Sequence, residues 1–408
     1  MDAKALSASP PLFAQLTAAP HRLMFCIGAL NVLLAMGWWT AWLAATRFGW
    51  WTMPQPVEPA GWMHAIIMQY QVLPSFVFGF LLTTFPRWMN QRPFQRQHYI
   101  PVGVGMFGGQ ALTLIGLLGL PKLVHAGIVL TILGWAFGLS LLIGVLWRDR
   151  GKTWHAVSAA CALTFGLCGL IAFAVFLHTA NPLLLYAAIK IGGFGLLLPL
   201  FFTVCHRMIP FFASVAIPGY KAWRPMPLLA AFWAMTLAHL TLEITHAYAW
   251  LWLADLPLAA MSAYMLWRWA DRRGPWLLTV LFIGFTWLPL AMGLYSVQSL
   301  WYLLGGDYHL GRGPAHALFI GYFGSLLVAM VTRVTMGHSG RPLQLGKLAA
   351  FAFVVLQAVA LVRIVSDDVA DAMAWQVVAG AGWLLAFLPW VVHFTRVYFS
   401  PRADGKPG

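Results

Sequence analysis

In the apolar run LAHLTLEITHAYAW, His239, Glu243 and His246 follow one another at intervals of four and three residues. At about 100° per residue this spacing puts all three within an arc of roughly 60° on one helix face. Such a stripe suits one chemistry well: the imidazoles ligate haem iron or copper, while the carboxylate orients an imidazole or passes protons. The alternative is that the three pair with polar groups on neighbouring helices. Lys190, in LLLYAAIKIGG, is a second deep charge. Counted from the nearer helix end at 1.5 Å per residue, it lies about 12 Å down and Glu243 about 9 Å. An unpaired charge at that depth is strongly disfavoured, so a Lys190–Glu243 ion pair and snorkelling of the lysine to the interface are the two ways to satisfy it.

The remaining histidines spread along the chain. His64, His125, His178, His309 and His316 fall, with His246, near one end of the apolar runs, and His21, His98, His155, His206, His338 and His393 near the other. A lone histidine at a helix end usually meets water or lipid. His64, His239, His246 and His316 are different, because they sit on three runs able to converge in a bundle core, and they are the candidate ligands. Met68 stands one helical turn beyond His64; a thioether suits Cu(I), although methionine on a membrane helix also serves as packing. Arg333, His338 and Arg341 gather at the opposite end, where guanidinium donors can hold propionates, phosphate or a lipid head group. No C-x-x-C-H occurs, which excludes covalently attached haem.

These residues ride on twelve apolar runs, near 22–46, 62–86, 100–120, 123–147, 154–178, 182–206, 226–248, 251–269, 275–298, 314–336, 346–365 and 373–398. Each is long enough to cross a hydrocarbon core of roughly 30 Å as a helix. With 61% hydrophobic and 9% charged residues, the chain is predicted to be all-α, one transmembrane helical domain over 1–408 with a short arm 1–21 and tail 399–408. All 25 Lys and Arg except Arg47, Lys122, Lys190, Arg312 and Arg363 fall in the arm, the tail and alternate loops. By the positive-inside rule both termini are cytoplasmic. Glu58, Asp255, Asp307, Asp367, Asp368 and Asp371 fall on the other, outer side. No apolar run precedes the first span, so the arm is expected to stay in the cytoplasm without a cleaved signal. The formal charge of +14 comes from basic residues scattered over short loops, a pattern for orientation and anionic lipid head groups and not for nucleic acid.

Several segments together resemble the NnrS family of haem- and copper-containing bacterial inner-membrane proteins. Gly79-Phe80-Leu81-Leu82-Thr83 in the second run is similar to the family's G-F-L-L-T. His316-Ala317-Leu318, then Val331-Thr332-Arg333-Val334-Thr335-Met336-Gly337-His338-Ser339-Gly340-Arg341-Pro342-Leu343, is similar to its H-A-L and M-T-R-V-S-L-G-H-T-G-R-P-L. Cys205 to Pro210 is similar to G-G-R-V-I-P, and His21-Arg22 to the opening H-R-P. Where the family begins span two with W-H-A-H-E-M, this chain keeps His64 and Met68 but has Ile66 and Ile67 in place of the second histidine and the glutamate. The resemblance implies twelve helices and haem b without a covalent link. It also implies copper as a second cofactor, nitric oxide as ligand, and electrons from quinol or a donor protein in an oxidoreductase or protective role. Two rivals stand beside it. One is a secondary transporter coupled through Lys190 and Glu243, although PRWMNQRPFQRQH lacks the Gly-Asp-Arg signature of the major facilitators. The other is a metal-free assembly or interaction subunit.

Overall fold

A helix satisfies its own backbone hydrogen bonds, the condition for crossing a bilayer, and these apolar runs are wound as helices throughout. The computed structural model describes residues 11–405, so Lys4, Lys406 and the outer parts of the expected arm and tail lie outside the described residues. It contains twelve helices long and apolar enough to span a membrane. Spans 1 to 6 are Pro20–Phe48, Ala60–Trp88, Arg96–Gly116, Pro121–Arg148, Trp154–Thr179 and Pro182–Ala216. Spans 7 to 12 are Met226–Ile244, Tyr248–Trp269, Trp276–Leu303, Gly313–His338, Lys347–Val365 and Ala372–Tyr398. No strand occurs among the described residues. The chain is a multi-pass membrane protein of helices alone.

The first and last spans meet at one end of the bundle, where the Arg22 guanidinium donates to the carbonyls of Gln15, Tyr398 and Ser400. That end is called the terminal end below, and the opposite one the distal end. Trp50, Trp51, Trp147, Trp154, Trp267, Trp276 and Trp301 stand exposed at span ends, as interfacial tryptophans do.

Burial separates inner from outer helices. The apolar stretch of span 2 is 89% buried and that of span 10 is 83%, against 33% for spans 7 and 8. Spans 3 and 4 approach backbone to backbone: a Cβ added to Gly105 would lie 2.5 Å from Gly134 Cα, and one added to Gly127 would lie 2.6 Å from the Gly109 carbonyl oxygen. Small residues allow this contact, which in a bilayer replaces the hydrophobic drive that water would supply.

Three spans depart from regular α geometry. Met68–Val72 in span 2, Ile191–Leu197 in span 6 and Ala317–Gly324 in span 10 are π-helical. Each wide turn follows closely on an ionisable residue, His64, Lys190 or His316 respectively. A π turn inserts a residue into the helix and rotates everything beyond it, a device often found at functional positions.

Candidate functional site

Two polar groupings lie toward the distal half of the bundle. The first is built on spans 6, 7 and 8. Lys190 Nζ lies 2.7 Å from Glu243 Oε2, with Glu243 1% exposed and Lys190 23%. Regular α geometry over Met226–Ile244 places His239 one turn before Glu243, with Nε2 3.8 Å from Glu243 Oε1. The other ring nitrogen, Nδ1, is 2.6 Å from Asp255 Oδ1. Phe194 stacks on the imidazole at 3.7 Å and Tyr295 meets it edge-on at 5.2 Å. Both nitrogens of His239 thus face carboxylates: Nδ1 is engaged by Asp255, and Nε2, without a hydrogen-bond partner among the described residues, keeps the lone pair that a proton or a metal would take.

Here the structure corrects one expectation and adds a residue to the grouping. His246 is not on the stripe. Span 7 closes at Ile244 with a Schellman turn, His246 N–H donating to the Glu243 carbonyl at 3.0 Å and Ala247 N–H to that of Leu242 at 2.8 Å. His246 takes the left-handed position at φ 56° and its side chain leaves the helix face, exposed, with Nδ1 2.7 Å from the Tyr248 hydroxyl. Tyr248 in turn shares a hydrogen bond of 2.8 Å with Tyr186. Asp255, counted above with the acids of the outer side, is fully buried. It lies in the first turn of the helix Trp252–Trp269, within the expected run 251–269, and faces span 7. The signal was an acid within the run LWLADLPLAAM, the same kind of signal that singled out Glu243.

The second grouping joins spans 2 and 10. His64 stacks on Trp39 of span 1 at 4.6 Å and 11° between planes, and neither of its ring nitrogens has a hydrogen-bond partner among the described residues. His316 Nδ1 lies 2.8 Å from the Arg312 carbonyl oxygen, so Nδ1–H donates and Nε2 is left with its lone pair. The Arg312 guanidinium also lies over Gly61, one turn before His64. Just outside span 11, Asp367 anchors this corner, accepting from Arg363 Nη1 at 2.8 Å, the Arg312 N–H at 3.0 Å and Gln376 at 3.3 Å. Burial pushes the Asp367 carboxyl up, but the Arg363 charge and these donors outweigh it and hold the group below the usual carboxylate range.

Met68 opens the π turn of span 2, half-buried, and Met63 is fully buried. No three His, Cys, Asp or Glu side chains come together as a metal-binding group among the described residues. Copper takes no part in the function proposed below.

At the terminal end Arg333, 5% exposed, lays its guanidinium on the Phe212 ring at 4.1 Å. His338 sits between Arg87, 2.7 Å from its Nε2, and the ring of His21, 4.5 Å away. Arg341 buries one Nη without an acceptor among the described residues. His21 and Arg22, placed at this end by the sequence but not among the candidate site residues, join this group, and His155 and His206, likewise not among the candidates, share a 2.9 Å hydrogen bond between their rings. Their type and place on the terminal end were visible, but which partner each would meet was not.

Between the two ends, spans 1, 2, 6 and 10 enclose an apolar cavity of about 60 Å³ beside Phe25, Phe76, Phe80, Cys205 and Leu326. The chain matches a family model described as NnrS protein over residues 15–402. No curated protein matches it.

Proposed function

Because the chain belongs to the NnrS family, whose link is to nitric oxide metabolism, we propose that it is a single-domain protein of the bacterial inner membrane that holds haem b at His64 and His316 and handles nitric oxide. Both termini face the cytoplasm in this reading, since that end carries most of the basic side chains. The observation that carries it is the state of His316. Its Nδ1–H is committed to a backbone carbonyl and Nε2 is free, the arrangement in which metal-bound imidazoles are held and made more basic. His64 on the facing span is kept in plane by Trp39 with its nitrogens unengaged, and the π turns beyond both residues rotate the rest of each helix away from them. Arg312 supplies donors of the kind that carboxylates take.

When bound, haem would supply one-electron chemistry and a place for nitric oxide at its iron. The protein's part is to orient the imidazoles and hold the carboxylates. The cavity between spans 2, 6 and 10 has an apolar lining that suits an apolar diatomic and disfavours an anion. Quinol or a donor protein provides the electrons. The protein purified in detergent, oxidised and then dithionite-reduced, is expected to give a Soret band and an α-band that shift with nitric oxide. A flat visible spectrum after expression with ample haem overturns the reading and favours the transporter or the metal-free subunit.

A further inference from the structure

The four ionisable groups on spans 6, 7 and 8 do not balance as simple charges. Lys190 contributes one positive charge, and Glu243 and Asp255 each contribute a negative one, so the cluster carries one uncompensated negative charge unless it also holds a proton. Glu243 and Asp255 are essentially closed to solvent, and His239 between them is fully buried. A lone charge in such a place is costly, whereas one proton on the His239–Asp255 pair brings the sum to zero. The geometry can accept it: the Nδ1–H of a neutral ring already fills the 2.6 Å contact with Asp255 Oδ1, and Nε2, with its lone pair, faces the second carboxylate at 3.8 Å. Asp255 Oδ2 and His239 Nε2 are buried without a hydrogen-bond partner among the described residues, so the cluster has room to rearrange as the proton moves.

We propose that the His239–Asp255 pair is a proton-binding site that exchanges with the distal surface through Glu243 and Lys190. Access runs from the partly exposed Lys190 ammonium to Glu243, 2.7 Å away, then to His239 Nε2 and across the ring to Asp255. A proton arriving at Glu243 passes to Nε2 while Nδ1 releases its own to Asp255 Oδ1, so one proton enters and none is lost. The other groups facing the cluster are the phenols of Tyr295, which packs on His239, and of Tyr186 and Tyr308, which lie within the field of Glu243. Phenols ionise only well above neutral pH, so these leave the charge count unchanged. The site shares no residue with His64 or His316 and exists whether or not haem is bound.

The test is infrared difference spectroscopy on films of the detergent-purified protein, stepped between mildly acidic and mildly alkaline buffer at constant sodium. The wild type is expected to show a reversible pair of imidazole and carboxyl bands. Asp255→Asn and His239→Gln, which keep size and hydrogen bonding, lose that pair, with circular dichroism and gel filtration verifying that they fold. Lys190→Met keeps the bands but slows their exchange in D₂O at least tenfold. Bands unchanged in His239→Gln, or bands that follow sodium concentration at fixed pH, overturn the proposal, the latter because the site would then hold a metal cation.

Discussion

Replacing Lys190 alone should destabilise the protein more than replacing both Lys190 and Glu243. Two unit charges 2.7 Å apart attract by roughly 6 kcal/mol at an effective dielectric of about 20. Desolvation of the two ions offsets most of that, so the net value of the pair is small although the cost of breaking it is not. Lys190→Met leaves the Glu243 carboxylate, 1% exposed, without its cation. His239 at 3.8 Å takes over part of the load. The expected loss is therefore about 3 kcal/mol, the low end of the range for a broken buried pair. Glu243→Leu is gentler, about 1–2 kcal/mol, because Lys190 is 23% exposed and its stem can carry the ammonium to the interface. The double variant Lys190→Met/Glu243→Leu has no orphaned charge and should lose only about 1–2 kcal/mol, a coupling of roughly 3 kcal/mol. Reversible unfolding in graded SDS, followed by tryptophan fluorescence, measures all four corners of this cycle. A double variant no more stable than Lys190→Met would show that the two side chains do not compensate one another and that the contact is incidental.

Three further outcomes follow from the same geometry. His64→Ala and His316→Ala should each weaken haem binding at least tenfold, as loss of a ligand or its support does, whereas His98→Ala removes only a local helix cap worth about 1 kcal/mol and leaves haem content unchanged; reduced-minus-oxidised spectra with pyridine haemochrome quantitation decide it. Asp367 has its folded-state pKa below the unfolded value, so its contribution is complete above about pH 4 and is lost as pH falls through the folded pKa. Asp367→Asn should therefore melt earlier than wild type at pH 7, with the two curves converging in acid; a gap that persists in acid would refute the ionic account. Gly105→Ala puts a methyl group 2.5 Å from the Gly134 backbone and forces spans 3 and 4 apart, at about 1–3 kcal/mol or more, while Gly144→Ala, with nothing within 4 Å, should be neutral in the same unfolding assay.

Much of this molecule was settled by composition. Crossing a bilayer demands long apolar helices, so span number, most boundaries within about five residues and the all-helical class follow from hydropathy alone, although span 6 runs on to Ala216 past the expected 206, and of the two ways to satisfy Lys190, pairing with Glu243 and snorkelling, the structure shows the pair. Asp255 and His246 show where that reasoning stops. Their place depends on a single turn: Glu243, Leu242 and His246 close span 7 in a left-handed cap, which ejects one imidazole to the surface, and span 8 then packs back along span 7 so that Asp255 meets His239. Helix periodicity extrapolates a face and cannot register a cap that ends it. Nor does any one-dimensional pattern give the lateral order of helices in a membrane, where lipid is as apolar as the packed face and the hydropathy of inner and outer spans is alike. Span 2, 89% buried, and span 5, 39% buried, have mean hydropathies of 1.7 and 2.4, so the more apolar helix is the one that faces lipid. Only the tertiary structure, by placing small residues and buried hydrogen bonds against one another, decided that the Arg312 guanidinium lies over Gly61, one turn from His64, and that His239 meets Asp255.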